Sequence, residues 1–149
     1  FAKLNLPLKI FGIGPELEKL RGLAGNKTDF VGQVSDAEKA ELYGQAIGFI
    51  SPQIEDFGIT LIEAMLAGRP VITYGKGGGK ETVKDGVTGI LVEPGSAESL
   101  ALAVTLLLDD EMKRKEMGEA ARAWVDEKFS DRVMVEKFAG LYKELMRQK

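Results

Sequence analysis

Glu55 and Glu63 stand eight positions apart, with Phe57-Gly58 turning the chain between them. Gly58 ends the extended run that Ile47 to Ser51 predicts. Beyond it Ile59, Ile62 and Leu66 recur at helical spacing. Leu61 and Met65 add a second apolar row, so this helix is expected to be apolar nearly all round and deeply buried. Thr60 and Glu63, three apart, form its one polar strip. No Lys or Arg lies on the same helix, and buried charge is costly unless it is paired or hydrogen-bonded. One explanation is a capping box, Thr60-x-x-Glu63, in which Thr60 caps the helix and Glu63 reaches back to a free N–H. The other is a ligand. The free N–H groups near Ile59 and Thr60, aided by the helix dipole, would hold an anion such as a diphosphate, and Glu63 would accept hydrogen bonds from a sugar diol. The capping box leaves Glu55 and the Phe57-Gly58 turn without a purpose. The stretch alone admits both readings.

Composition narrows the chemistry. There is no Cys and no His among the 149 residues. Disulfides, thiolate nucleophiles, a His base and a Ser-His-Asp triad are thereby excluded, and the commonest metal ligands are lacking. Carboxylates, Lys or Arg, backbone amides and helix ends remain. The net charge is −3 and no basic stripe stands out, which argues against a nucleic-acid surface. Lys143, Arg147 and Lys149 share their segment with Glu136 and Glu144 and read as a solvated face. The length suits one domain, residues 1–149, with a proper core. No apolar run is long enough to span a membrane, and Phe1-Ala2-Lys3-Leu4 is unlike a signal peptide, so cytoplasmic residence is the expectation. No Met opens the chain, which predicts that it was cut from something longer.

The elements that must carry these residues alternate. Leu8 to Phe11 reads as a strand, followed by Gly12-Ile13-Gly14-Pro15 and a helix from about Glu16 to Leu23. Phe30-Val31 reads as a strand ending at Gly32, and Ser35-x-x-Glu38 as a capping box that opens a helix toward Ala46. Ile47 to Ile50 is a strand, and the Glu63 helix follows, stopped by Gly68-Arg69-Pro70. Val71 to Tyr74 is the next strand. The Gly75-Lys76-Gly77-Gly78-Gly79 loop then leads to a short helix around Glu81 to Val83, and Gly89 to Val92 is the last strand. From Ser96 onward everything reads helical. Ser96 caps a run to Leu108, Asp109 or Asp110 a second to about Lys128, and Ser130 a third to the end. Leu100, Val104 and Leu107 form one apolar face, and Met134, Phe138, Leu141 and Leu145 another. This alternation predicts a three-layer, doubly wound, Rossmann-like parallel sheet with C-terminal helices. Ligands in such folds sit at the carboxyl ends of the strands, where the Gly12, Gly32, Phe57-Gly58 and Gly75–Gly79 turns fall.

Two familiar phosphate motifs fail. Gly12-x-Gly14 starts like a dinucleotide fingerprint, but Leu17 replaces its third glycine. Gly79-Lys80-Glu81 resembles the end of a P-loop, yet Tyr74 and Glu81 replace its first Gly and its Ser/Thr. Three consecutive glycines after a strand favour close approach to a ligand over a merely flexible turn. Trp124 reads as packing, and Lys76 and Lys80 as exposed charges that beside a phosphate would clamp an anion.

Glu55 to Glu63 resembles the E-x7-E motif of retaining glycosyltransferases with the GT-B fold, family 4 in particular. The resemblance covers nearly the whole chain in order. It runs through Phe30-Val31-Gly32-Gln33-Val34-Ser35, Ser51 to Gly58, Glu63-Ala64-Met65, Gly68 to Ile72, Glu81-Thr82-Val83, Asp85-Gly86, Thr88-Gly89 and Pro94-Gly95. Tyr74-Gly75-Lys76-Gly77-Gly78 is similar to mannosyltransferase-like members, which implies GDP-mannose as donor. The resemblance implies the donor-binding half of a two-domain enzyme of polysaccharide biosynthesis. The acceptor domain, and the strand with the basic residues that neutralise the donor diphosphate, would precede residue 1. Carried over by position, Glu63 would hold the ribose hydroxyls and Glu55, the catalytic candidate, the transferred sugar. Amides at Phe57, Gly58 and Ile59 would join it, and the helix end at Ile59 and Thr60 would face the phosphates. Gln33, Val34 and Ser35 would border the base, and Gly12 and Gly14 would let the donor approach.

The implied reaction moves a hexose from a nucleoside diphosphate to an acceptor hydroxyl, glycan or lipid-linked, with retained configuration and no metal. It works by stabilising the departing diphosphate and by aligning the reactants. A glycosidase-type acid/base couple is disfavoured once Glu63 is given to ribose. Domain closure would complete the site, so this chain by itself is expected to bind nucleotide weakly and turn over little. Membrane contact would be peripheral, through the preceding domain only. A sugar-nucleotide epimerase and a non-catalytic nucleotide-sugar-binding module are the rivals. Release of nucleoside diphosphate with a glycosylated acceptor excludes the first. Titration with nucleoside diphosphates tests the second.

Overall fold

Strands joined by helical crossovers must run parallel. Every named strand in the computed structural model, which describes residues 1–147, has parallel neighbours. The strands are divided between two sheets and two units, Phe1–Gln45 and a second that begins at Ala46.

In the first unit, β1 (Leu8–Phe11) pairs with β2 (Thr28–Gly32), with α1 (Leu17–Leu23) as the crossover and α2 (Asp36–Gln45) after β2. Phe11 meets the buried Tyr43 of α2 edge-on, with ring centroids 6.1 Å apart. The expected capping box opens α2. The Ser35 N–H and hydroxyl each donate to Glu38 Oε2 at 2.7 Å, and Glu38 N–H returns to Ser35 Oγ at 3.3 Å. The Ser35 hydroxyl, then its N–H, hold the Glu38 carboxyl below the usual glutamate range. A lowered native value adds stability that is fully present above the ordinary glutamate pKa and is lost as pH falls through the lowered one. Ser35→Ala should return the Glu38 titration toward the ordinary range, followed by NMR of its side-chain carboxyl carbon, and should fray the first turn of α2.

In the second unit the sheet order is β3 (Phe49–Ser51), β4 (Val71–Tyr74), β5 (Gly89–Val92), with α3 (Ile59–Leu66) and α4 (Gly78–Thr82) as crossovers. β4 is central, and Val71, Ile72 and Thr73 are sealed from solvent, as a covered parallel strand requires. Three helices follow: α5 (Ala97–Asp109), α6 (Glu111–Lys128) and α7 (Asp131–Arg147). Ser96 caps α5 by accepting from Ser99 N–H at 3.0 Å, and Asp110 caps α6 by accepting from Lys113 N–H at 2.9 Å. Leu61, Ala64 and Met65 of α3, Ala103, Val104 and Leu107 of α5, and Met117, Ala121 and Val125 of α6 fill the core. No helix among the described residues is long and apolar enough to cross a membrane.

Four local expectations need correction. Thr60 does not cap α3. Gly58 occupies the cap at φ 87°, a left-handed conformation suited to glycine, and Thr60 lies inside the helix. Nor is α3 covered all round. The Leu61 and Met65 row is buried, whereas Ile59 is 66% and Leu66 46% exposed. The short helix α4 starts within the glycine run rather than beyond it. At α7, Ser130 Oγ is buried without a hydrogen-bond partner, so only its carbonyl, accepting from Met134 N–H at 3.1 Å, opens the helix. The α7 face of Met134, Phe138, Leu141 and Leu145 exists but is exposed. Lys143 and Arg147 are exposed as expected, and Lys149 lies outside the described residues.

Candidate functional site

β3 ends at Ser51, and the chain then runs through Glu55 into the Phe57-Gly58 turn. Ser51 is only 5% exposed, and its hydroxyl donates to Glu55 Oε1 at 2.6 Å. Gln53 Nε2 donates to the same oxygen at 2.8 Å. The Glu55 carbonyl accepts from Gly78 N–H at 2.6 Å, and Glu55 forms an isolated parallel bridge with Gly77. The carboxylate is therefore fixed through its side chain and its main chain at once.

The glycine run makes this possible. A Cβ on Gly78 would run into the Asp56 carbonyl oxygen and would lie 2.7 Å from the Phe57 Cα. A Cβ on Gly77 would lie 2.5 Å from the Glu55 carbonyl oxygen. Close approach was expected here, toward a ligand. The partner that Gly77 and Gly78 approach is the protein's own 55–57 segment.

Phe57 is exposed, and its ring stands edge-on to Phe129, which in turn stands edge-on to Trp124. Trp124 Nε1 donates to the Thr82 carbonyl at 2.9 Å, and Lys84 Nζ lies 3.6 Å from its ring centre. Trp124 is thus a packing residue, as its sequence context predicts. At the start of α3 the Gly58 carbonyl accepts from Leu61 N–H at 3.0 Å and Ile62 N–H at 3.2 Å. The N–H groups of Phe57, Gly58 and Ile59 donate to no group among the described residues. Such groups at a helix start, with the dipole behind them, favour an anion. Glu63 lies farther along α3 and is half-buried, and its carbonyl accepts from Ala67 N–H at 3.1 Å.

Glu55, Phe57, Gly58, Ile59, Thr60 and Glu63 thus form one loop-and-helix segment of the second unit. Gly12, Gly14, Gln33, Val34 and Ser35 belong to the first unit, at the carboxyl ends of β1 and β2. There Gly12 N–H donates to the Gly32 carbonyl at 2.7 Å, tying the two turns together. Gly12 and Gly14 have open space around them, Gln33 is exposed and Val34 half-buried. The Ser35 hydroxyl is already committed to Glu38. Sequence reading gave no role to Ser51 or Gln53. The signal was a short polar residue at the end of a strand, four positions before the acid.

Known proteins share this architecture. The crystal structure of Anabaena Alr3699/HepE in complex with UDP-glucose matches with a TM-score of 0.80 at 25% identity, over 93% of this chain and 41% of that one. The α/β architecture is that of one half of a GT-B glycosyltransferase. A phosphatidyl-myo-inositol mannosyltransferase of Mycobacterium leprae is 39% identical over 116 residues, 74% of this chain and 31% of that one. A GDP-mannose-dependent alpha-(1-6)-phosphatidylinositol monomannoside mannosyltransferase of Mycobacterium tuberculosis is 37% identical over 131 residues, 79% of this chain and 34% of that one. The chain spans about a third of the length of these curated relatives. The family model for glycosyl transferases group 1 matches residues 2–124, and the chain belongs to that family.

Proposed function

We propose that this chain is the donor-binding part of a retaining hexosyltransferase that uses a nucleoside-diphosphate sugar, with GDP-mannose as the first candidate. The observation that carries the proposal is the pinned Glu55 carboxylate, followed directly by the free amides that open α3. The names of the two mannosyltransferase relatives and the UDP-glucose bound to the Anabaena protein support it.

In this reading Glu55 accepts hydrogen bonds from hydroxyls of the transferred sugar, and Glu63 from the ribose. The acceptor oxygen replaces the diphosphate on the same face of the anomeric carbon. The diphosphate departs with the bonding electron pair, and the acceptor hydroxyl passes its proton to the departing diphosphate oxygen on the same face. Amides at Phe57, Gly58 and Ile59, together with the α3 dipole near Thr60, stabilise the charge that develops on the leaving group. Within the first unit, Gly12, Gly14, Gln33, Val34 and Ser35 are the proposed nucleotide-binding positions. The reaction as proposed needs no metal ion.

The test is a thermal-shift series on the whole protein with GDP, UDP and ADP and their hexose derivatives. A ligand at a hundred times its Kd adds about 2.7 kcal/mol to native stability, so the cognate diphosphate should raise Tm clearly. GDP and GDP-mannose are expected to give the largest shifts, and the cognate sugar should yield free diphosphate plus glycosylated acceptor. A series in which no nucleoside diphosphate moves Tm would sink the proposal.

A further inference from the structure

We infer that Ser51 and Gln53 are positioning residues that hold the Glu55 carboxylate in one rotamer for the sugar, an inference that rests on the reading of Glu55 as the sugar contact. Both donors converge on Oε1, at 2.6 Å and 2.8 Å. The Ser51 distance is that of a charge-assisted O–H···O⁻ bond, among the stronger hydrogen bonds proteins make. Oε2 accepts from no group among the described residues. A carboxylate needed only to close the 54–58 loop would gain most by using both oxygens. This one concentrates its internal bonds on one oxygen and keeps the other for an external donor.

The clamp is rooted in the sheet. Thr73 of the central strand β4 is sealed from solvent, and its hydroxyl donates to the Ser51 carbonyl at 3.0 Å. Ser51 is itself buried, so its hydroxyl has a fixed origin. Gly78 N–H holds the Glu55 main chain from the far side. A series of hydrogen bonds thus runs from the buried central strand to the Glu55 carboxylate. Holding a reacting partner to within a fraction of an ångström is worth a large rate factor, and a misplacement of 1 Å can cost about a hundredfold.

The experiment uses the whole protein and its cognate sugar nucleotide. Gln53→Ala, Ser51→Ala and Ser51→Thr are each made in the native and the Glu55→Ala backgrounds. Gln53 is exposed, so its variant carries little folding risk. The measurements are kcat, KM, Tm and the Kd for the free nucleoside diphosphate. Gln53→Ala and Ser51→Ala should each lower kcat about tenfold, the scale of one hydrogen bond to a charged group. The diphosphate Kd should stay within about twofold, and Ser51→Thr, which keeps the hydroxyl, should restore most of the rate. In the Glu55→Ala background neither substitution should lower the rate further.

If Glu55→Ala costs activity while Gln53→Ala and Ser51→Ala keep native kcat, the clamp is overturned and the donor-site reading stands. If Glu55→Ala itself leaves kcat unchanged, the sugar role of Glu55 fails and the clamp with it. A parallel fall in kcat, Tm and diphosphate affinity would mark Ser51 and Gln53 as merely structural and would likewise overturn the inference.

Discussion

Glu63→Ala, made in the whole protein, should weaken nucleoside-diphosphate binding by about ten- to a hundredfold, with Glu63→Gln falling between it and wild type. Hydrogen bonds to a charged group contribute roughly 1.5–3 kcal/mol, which is this range in affinity. The substitution should act on the ligand rather than on the helix. Glu63 is half-buried, Gly58 rather than Thr60 holds the cap position of α3, and both Ala and Gln are good helix formers. Gln keeps the reach and one acceptor oxygen but loses the charge, hence its intermediate place. Titration calorimetry reads the Kd, and Tm of the unliganded variants checks the fold. Equal affinity across all three proteins would refute a ribose contact.

Gly78→Ala should destabilise the second unit by about 3 kcal/mol or more, the upper range for forcing an atom into a packed interior. The added carbon would collide with the Asp56 carbonyl and crowd the Phe57 Cα, and both are main chain, so no side chain can swing aside. Relief requires moving the 55–57 segment, which breaks the 2.6 Å bond from Gly78 N–H to the Glu55 carbonyl. Stability and transfer activity should therefore fall together. Gly14→Ala is the control. A Cβ there meets nothing within 4 Å, and the change should stay within about 0.5 kcal/mol. Chemical denaturation of both variants decides it. A Gly78→Ala midpoint close to that of wild type would mean that the loop yields more easily than its packing indicates.

Strands such as Val71–Tyr74 and Gly89–Val92 were legible because short β-prone runs are punctuated, the first by Pro70 and Gly75, the second by Gly89 itself and Glu93. Ser35 and Ser96 were legible as caps because each precedes its helix directly and bonds a local N–H, whereas the choice between Asp109 and Asp110 fell to Asp110 only in the structure. Thr60-x-x-Glu63 fits the same S/T-x-x-E pattern as Ser35-x-x-Glu38 but sits inside its helix. The left-handed Gly58 shifted the helix start, and a letter pattern does not report φ. The start of α4 at Gly78 was hidden for a different reason. Glycine disfavours helix locally, and only tight packing on residues 55–57 offsets that cost. Within the candidate site, the acids were visible as types and spacing. The donors that hold Glu55 were not, because which side chain reaches which oxygen depends on rotamers set by the folded backbone.

The bare outer stripe of α7 bears on how this domain can be handled. Met134, Phe138, Leu141 and Leu145 are each more than half exposed, so their hydrocarbon contributes little to the interior. As a freestanding reagent the domain would tend to stick to itself and to vessel walls. Recoding those four positions with Glu, Lys or Gln keeps the helix propensity high and leaves the buried packing untouched, which gives protein engineers a direct route to a more soluble form of the chain.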